Sequence, residues 1–118
     1  MSGNFFKELK IPKPDINLGV GSGSHAYQTA GIMKKLDQLL AENRTDLVIV
    51  YGDVNSTIAS SLVCSKLGIP VGHVEAGLRS GDLTSPFPEE MNRCLISRLA
   101  SVHFAATERN RQTLCSEG

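Results

Sequence analysis

Three carboxylates stand where a parallel α/β protein would put its chemistry. Asp53 ends the run "VYGD", Glu75 sits in "HVEAG", and Glu89 opens "EEMNR". The first two follow short apolar runs that read as strands, so each belongs to a strand tip. Glu89 falls in the first turn of the helix after them. In open parallel sheets, ligands bind outside the C-terminal ends of the strands. Acids brought there from separate segments can take up and deliver protons, or stabilise a developing cation. Each also has an ordinary alternative. Asp53 could serve backbone donors at the next helix start, and Glu75 could pair with Arg79. Glu89 and Glu90 complement a helix dipole, and Glu89 stands four residues from Arg93, an ion-pair spacing.

Other candidate motifs carry less. "GVGSGSH" resembles a dinucleotide fingerprint, but its third glycine comes one place early. The acid expected some way downstream falls at Glu42, inside a helical pattern. A tight turn whose backbone N–H groups face a phosphate is the better reading. His73 reads as a satisfied core histidine. His25 and His103 have no metal-ligand spacing to any acid or cysteine. No G-x-S-x-G elbow, Walker motif or HExxH occurs. No metal and no cofactor is expected.

The elements that must position these groups alternate along the chain. An amphipathic start around Phe5, Phe6 and Leu9 is broken by "IPKPD", and "INL" suits a brief strand. Ser24 is a natural N-cap for a helix carrying Ala26, Ala30, Met33, Leu36, Leu39 and Leu40 at helical spacing. "DLVIVY" has the continuous apolar centre of a parallel strand covered on both faces. Asn55 or Ser56 would cap a helix with Ile58, Leu62, Val63 and Leu67, stopped by Gly68 and Pro70. "IPVGHVE" is the next strand. A helix follows from Pro88 through Met91, Leu95, Ile96 and Leu99, with proline suited to its first turn. "VHFAA" is a further strand, and Thr107 caps a last helix ending near Gly118. The order β-α-β-α-β-α predicts an α/β, three-layer Rossmann-like domain with a parallel sheet.

The bulk numbers agree with a single compact domain. The chain has 118 residues, 41% hydrophobic and 20% charged, with a formal net charge of zero. That balance offers no bulk field for nucleic acid or an anionic membrane, so neither is expected as a partner. The run "ERNR" reads as a solvated helix face. No apolar run is long enough for a membrane helix, and the N-terminus lacks the pattern of a secretory signal. Cys64, Cys94 and Cys115 are odd in number and have no CxxC spacing. They read as reduced thiols in a cytoplasmic protein.

Taken together, "VYGDVNST", "HVEAGLRSGD", "PFPEEMNR" and "HFAATERN" resemble the non-hydrolysing UDP-N-acetylglucosamine 2-epimerases. "LGVGSGSHAYQTAGIM" is similar to one branch of that family. The motifs run in order over essentially all 118 residues. The resemblance implies the N-terminal half of a glycosyltransferase-B-like architecture, with the active site between two Rossmann-like domains. It implies interconversion of UDP-GlcNAc and UDP-ManNAc by elimination of UDP and its re-addition. Carried over by motif, the catalytic carboxylates are Asp53, Glu75 and Glu89. Arg79, Asn92 and Arg93 are carried over as substrate-binding residues. The resemblance also implies a place in cell-surface polysaccharide biosynthesis and a homodimer among the assemblies.

The family's opening strand with its "GTRPE"-like motif, its "TGQH" loop and its whole C-terminal domain have no counterpart here. Residues 1–118 are therefore expected to be one partial Rossmann-like domain. The catalytic histidine and most UDP contacts of the family cannot be assigned to any residue. The expectation is a fragment of an isomerase with little activity alone. Alternatives are a non-catalytic sugar-nucleotide binding or dimerisation module, or part of a hydrolysing epimerase or glycosyltransferase of the same architecture.

Overall fold

The computed structural model describes residues 18–118. The amphipathic start, the "IPKPD" break and most of the "INL" segment lie outside the described residues. The first helix, α1, spans His25–Glu42, and the Ser24 side chain accepts from the Tyr27 N–H at its start. Strand β1 (Val48–Tyr51) leads to α2 (Asn55–Leu67), and β2 (Val71–Ala76) leads through a long connection to α3 (Glu89–Leu99). Strand β3 (Val102–Ala105) and α4 (Glu108–Glu117) complete the order. Gly68 stops α2 at φ 74°, a left-handed conformation that costs glycine little. Thr107 caps α4 by accepting from the Asn110 N–H.

The three strands are parallel in the order β1-β2-β3. Val48 to Tyr51 of β1 register with Val71 to Val74 of β2. The α/β reading with a parallel sheet stands. Right-handed crossovers that always step in one direction put their helices on one face of the sheet. The core shows this. Val50 and Val71 from the sheet pack with Ile58 and Cys64 of α2 and Ile96 of α3, with Leu40 of α1 against them. Burial of these side chains is the main stabilising contribution, at about 25 cal/mol per Å² of apolar area.

Two sequence expectations change. The apolar run of β1 is not covered on both faces among the described residues. Val50 is buried, but Ile49 and Tyr51 are exposed, as are Val102 and Phe104 of β3. The described helices supply one layer, so alternate residues of each strand face away from it. Nor does Asn55 or Ser56 cap α2. Val54 holds the N-cap position with no side-chain bond, and Asn55, the first helical residue, donates its Nδ2 across to α1. A smaller shift concerns Pro88, which is the N-cap of α3 rather than a residue of its first turn.

Candidate functional site

The chain leaves β1 through Gly52, whose φ is 78° and whose N–H still bonds the Val74 carbonyl. That left-handed turn carries Asp53 off the sheet toward α3. There the Asp53 carboxylate accepts from Arg93 Nε at 2.8 Å. Arg93 also donates through Nη1 to Glu90 Oε1 at 3.2 Å. The other oxygen of Glu90 accepts from the Gly81 N–H at 3.0 Å. One guanidinium thus ties the strand tip to α3, and Glu90 ties α3 to the connection that follows β2.

This cluster bears on the ion-pair alternatives for the acids, while Glu89 and Glu90 do stand in the first turn of α3, where they complement its dipole. Asp53 spends its carboxylate on Arg93 rather than on the helix behind it. Arg93 pairs with Asp53 and Glu90, three residues back, and not with Glu89. Arg79 pairs with Glu117 at 2.8 Å and also donates to Ser97, so it is not the partner of Glu75. The electrostatics follow from these contacts. Burial pushes the Glu90 carboxyl up, but the N–H groups of Ser80 and Gly81 and the Arg93 guanidinium outweigh it and hold it below the usual range. Burial works against the Arg93 charge, yet Asp53 and Glu90 raise its pKa above the usual value.

A cleft of about 330 Å³ opens between the start of α1 and the starts of α2 and α3. Asp53 and Glu89 both line it, with His25, Gln28, Asn55 and Gly21 among the other walls. One oxygen of Glu89 is buried there with no hydrogen-bond partner among the described residues. An unpartnered carboxylate facing a cleft is suited to accept a proton or to meet a cation.

The other sequence-derived candidates fall differently. Glu75 stands at an irregularity of the β2–β3 pairing, between Val74 and Ala76, with φ 69°. It is exposed, and its side chain makes no hydrogen bond or ion pair among the described residues. It does not line the cleft, although its carboxylate reaches to 4.0 Å from where a Cβ on Gly52 would stand. Asn92 is 2% exposed and gives its amide to the Asp53 carbonyl at 2.9 Å. Its amide is turned inward, to the turn. Arg79 has its donors engaged by Glu117, Ser97 and the Leu78 carbonyl.

Sequence reasoning missed the wall formed by α1. His25, Gln28 and Asn55 form a chain in which Asn55 Nδ2 meets His25 Nδ1 at 3.0 Å and Gln28 Oε1 at 3.1 Å. An amide nitrogen only donates, so His25 Nδ1 accepts and its proton sits on Nε2. The signal available was the placement of His25 right after a glycine-rich turn at a helix start. Searching for metal spacing looked past it. Among the described residues, no group of His, Cys, Asp and Glu side chains is placed to hold a metal ion.

The comparisons with known proteins bear on the whole chain. The family model described as UDP-N-acetylglucosamine 2-epimerase matches residues 1–118. A UDP-N-acetylglucosamine 2-epimerase homolog of Methanococcus maripaludis is 50% identical over 114 residues, covering 97% of this chain and 31% of that protein. The UDP-N-acetylglucosamine 2-epimerase of Salmonella typhimurium is 48% identical over 107 residues, covering 91% of this chain and 28% of its own length. A solved structure, the Methanocaldococcus jannaschii UDP-GlcNAc 2-epimerase in complex with UDP-GlcNAc and UDP, superposes with a TM-score of 0.94. It is 45% identical, with 100% of this chain and 32% of that one covered. The chain therefore spans about a third of the length of the relatives it matches. A family-model match over residues 1–118, with a relative 50% identical, is not a likeness of fold alone: the chain belongs to the UDP-N-acetylglucosamine 2-epimerase family.

Proposed function

We propose that the chain carries the sugar-side carboxylates of a UDP-N-acetylglucosamine 2-epimerase, which interconverts UDP-GlcNAc and UDP-ManNAc. The observation that carries this is the placement of Asp53 and Glu89 in one cleft at the strand tips. The hydrogen on C2 of the sugar is scarcely acidic in the ground state. As the C1–O bond to UDP breaks, the ring becomes oxocarbenium-like and that hydrogen becomes acidic. A carboxylate takes that proton, UDP leaves with the C1–O electron pair, and the C2–H pair becomes a C1–C2 double bond. UDP then adds back to C1 while a proton arrives at C2 from the other face. Inversion thus needs proton carriers on both faces and a negative group near the cation.

The contacts support a division of these roles. Asp53 is paired with Arg93 at 2.8 Å, and on this reading it meets the developing cation. Glu89 lines the cleft and the Glu75 side chain makes no hydrogen bond or ion pair among the described residues, so these two are proposed as the proton carriers. On this reading residues 1–118 form one partial Rossmann-like domain, one wall of a two-domain cleft. Arg79, Asn92 and Arg93 then act mainly by holding that wall. The same reading places the protein in the cytoplasm, as a homodimer serving cell-surface polysaccharide synthesis.

The test is titration of the isotope-labelled chain with UDP-GlcNAc, followed by NMR. The reading expects saturable shifts at the Gly52, Asp53 and Glu89 amides, reproduced by UDP-ManNAc and lost in Glu89→Gln. Absence of shifts at all three positions at millimolar ligand refutes it.

A further inference from the structure

Among the described residues, four of the five buried polar side chains converge on one short turn; the fifth, Ser61, donates to the Thr57 carbonyl within its own helix. Thr57, 3% exposed, donates its hydroxyl to the Tyr51 carbonyl at 2.7 Å. His73, 1% exposed, meets the Gly52 carbonyl with Nε2 at 2.7 Å. Asn92 donates its amide to the Asp53 carbonyl at 2.9 Å. Three successive carbonyls are therefore each held by a side chain from a different element: α2, β2 and α3. Glu90, 2% exposed, acts one step further out, through Arg93, on the Asp53 carboxylate.

Hydrogen-bond satisfaction does not require this arrangement. Tyr51 is exposed and Gly52 and Asp53 are half-buried, so water could serve their carbonyls. The donors are also costly. A carbonyl only accepts, so His73 must carry its proton on Nε2, and Nδ1 is left as a bare acceptor. That nitrogen is buried with no partner among the described residues. A leucine in mid-strand would avoid that cost. What the three donors add over water is a fixed orientation for each peptide plane between the sheet and Asp53.

We propose that Thr57, His73 and Asn92, with Glu90 acting through Arg93, are positioning residues that lock the Tyr51–Asp53 turn and so aim the Asp53 carboxylate. The proposal rests on the reading of Asp53 as a group that faces substrate. The lock works by backbone orientation, so its loss frees the carboxylate from Arg93 without unfolding the domain.

The reporter is the Arg93 Nε–H, whose exchange with solvent is read by NMR on the labelled chain. Global stability is measured by urea unfolding of the same samples. His73→Leu removes the donor to Gly52, and His73→Gln places an amide donor near the Nε2 position. Thr57→Val removes the hydroxyl at nearly constant shape. The expected result is an increase of Arg93 Nε–H exchange of at least about tenfold in His73→Leu and Thr57→Val, beyond any change in global unfolding. His73→Gln returns exchange to within about threefold of the parent. If exchange follows global stability alone, or if Gln and Leu behave alike, the proposal is overturned. Should His73→Leu not fold, Thr57→Val decides it. UDP-GlcNAc titration is read separately: a parent chain that binds none removes the reading of the cleft, whereas the exchange data still decide the lock.

Discussion

Glu75 has φ 69° in a region where residues with a Cβ are strained, and the strain is measurable. A non-glycine residue there costs about 1–2 kcal/mol relative to its preferred conformations. Glycine adopts the same φ freely but adds about 0.4–1 kcal/mol of unfolded-chain entropy. Glu75 is exposed and its side chain makes no hydrogen bond or ion pair among the described residues, so removing it forfeits little packing or pairing. The net expectation is that Glu75→Gly stabilises the chain by about 0.5–1 kcal/mol. For a domain of this size that is a rise in Tm of about 2–5 °C. Glu75→Ala removes the same carboxylate and keeps the strain, so it stays within about 0.5 kcal/mol of the parent. Urea unfolding of the three proteins, with thermal melts beside it, separates the cases. Equal stability of the Gly and Ala variants, or a Gly variant below the parent, refutes the strain argument. A stabilised Gly variant identifies Glu75 as a residue retained for what its carboxylate does, since the fold is better off without it.

The remaining predictions use the same unfolding assay. Gly77→Ala drives a Cβ into the Asn110 carbonyl oxygen at φ 91°, and backbone must move; a loss of about 3 kcal/mol is expected. Ile96 is fully buried in the core, so Ile96→Ala costs about 3 kcal/mol, whereas Leu95→Ala, on an exposed residue of the same helix, costs under about 1. Acid unfolding has two parts with the same sign. His103 is pushed below its ordinary 6.5 by burial, with His73 and Arg79 adding to it. Its neutral form is favoured by folding, so stability is full above 6.5 and falls as pH drops toward the folded value. Glu90 is held below its ordinary 4.5, so its contribution is present above 4.5 and lost as pH falls through the folded value. The urea midpoint should therefore decline in two stages below pH 6.5, and His103→Gln should remove the first.

Local chemistry made most of the elements legible. Ser24 and Thr107 announce their helices because a hydroxyl before an apolar periodic run satisfies the first free N–H groups, and both do so here. Gly68 with Pro70 announces a stop for the reason observed, a left-handed residue followed by one that cannot continue a helix. Where the reading failed, the deciding information was not local. The run "VIVY" looks equally apolar whether one or both faces are covered. The direction of the crossovers places α1, α2 and α3 against the same core and leaves Ile49 and Tyr51 exposed. Asn55 is as good a cap as any by type, but it stands one place inside the helix, where its Nδ2 reaches Gln28 and His25 on α1.

The site shows the same division more sharply. Strand tips and helix starts could be found from pattern, so Asp53 and Glu89 could be placed at one end of the sheet, where a cleft is found. Partners could not. Arg93 lies three residues after Glu90 and four after Glu89, and both spacings suit an ion pair. The choice turns on residues far away in sequence. The Gly81 N–H fixes one oxygen of Glu90, which leaves its other oxygen toward Arg93. Asp53, forty residues earlier, takes the remaining side of the guanidinium at 2.8 Å. Once Arg93 is committed in this way, it does not pair with Glu89, which lines the cleft with its inner oxygen buried and without a partner among the described residues. The free acid of the pair is thus free because its neighbour is bound. Adjacent glutamates of identical type acquire opposite roles from a loop amide and a strand tip that no helical spacing rule contains.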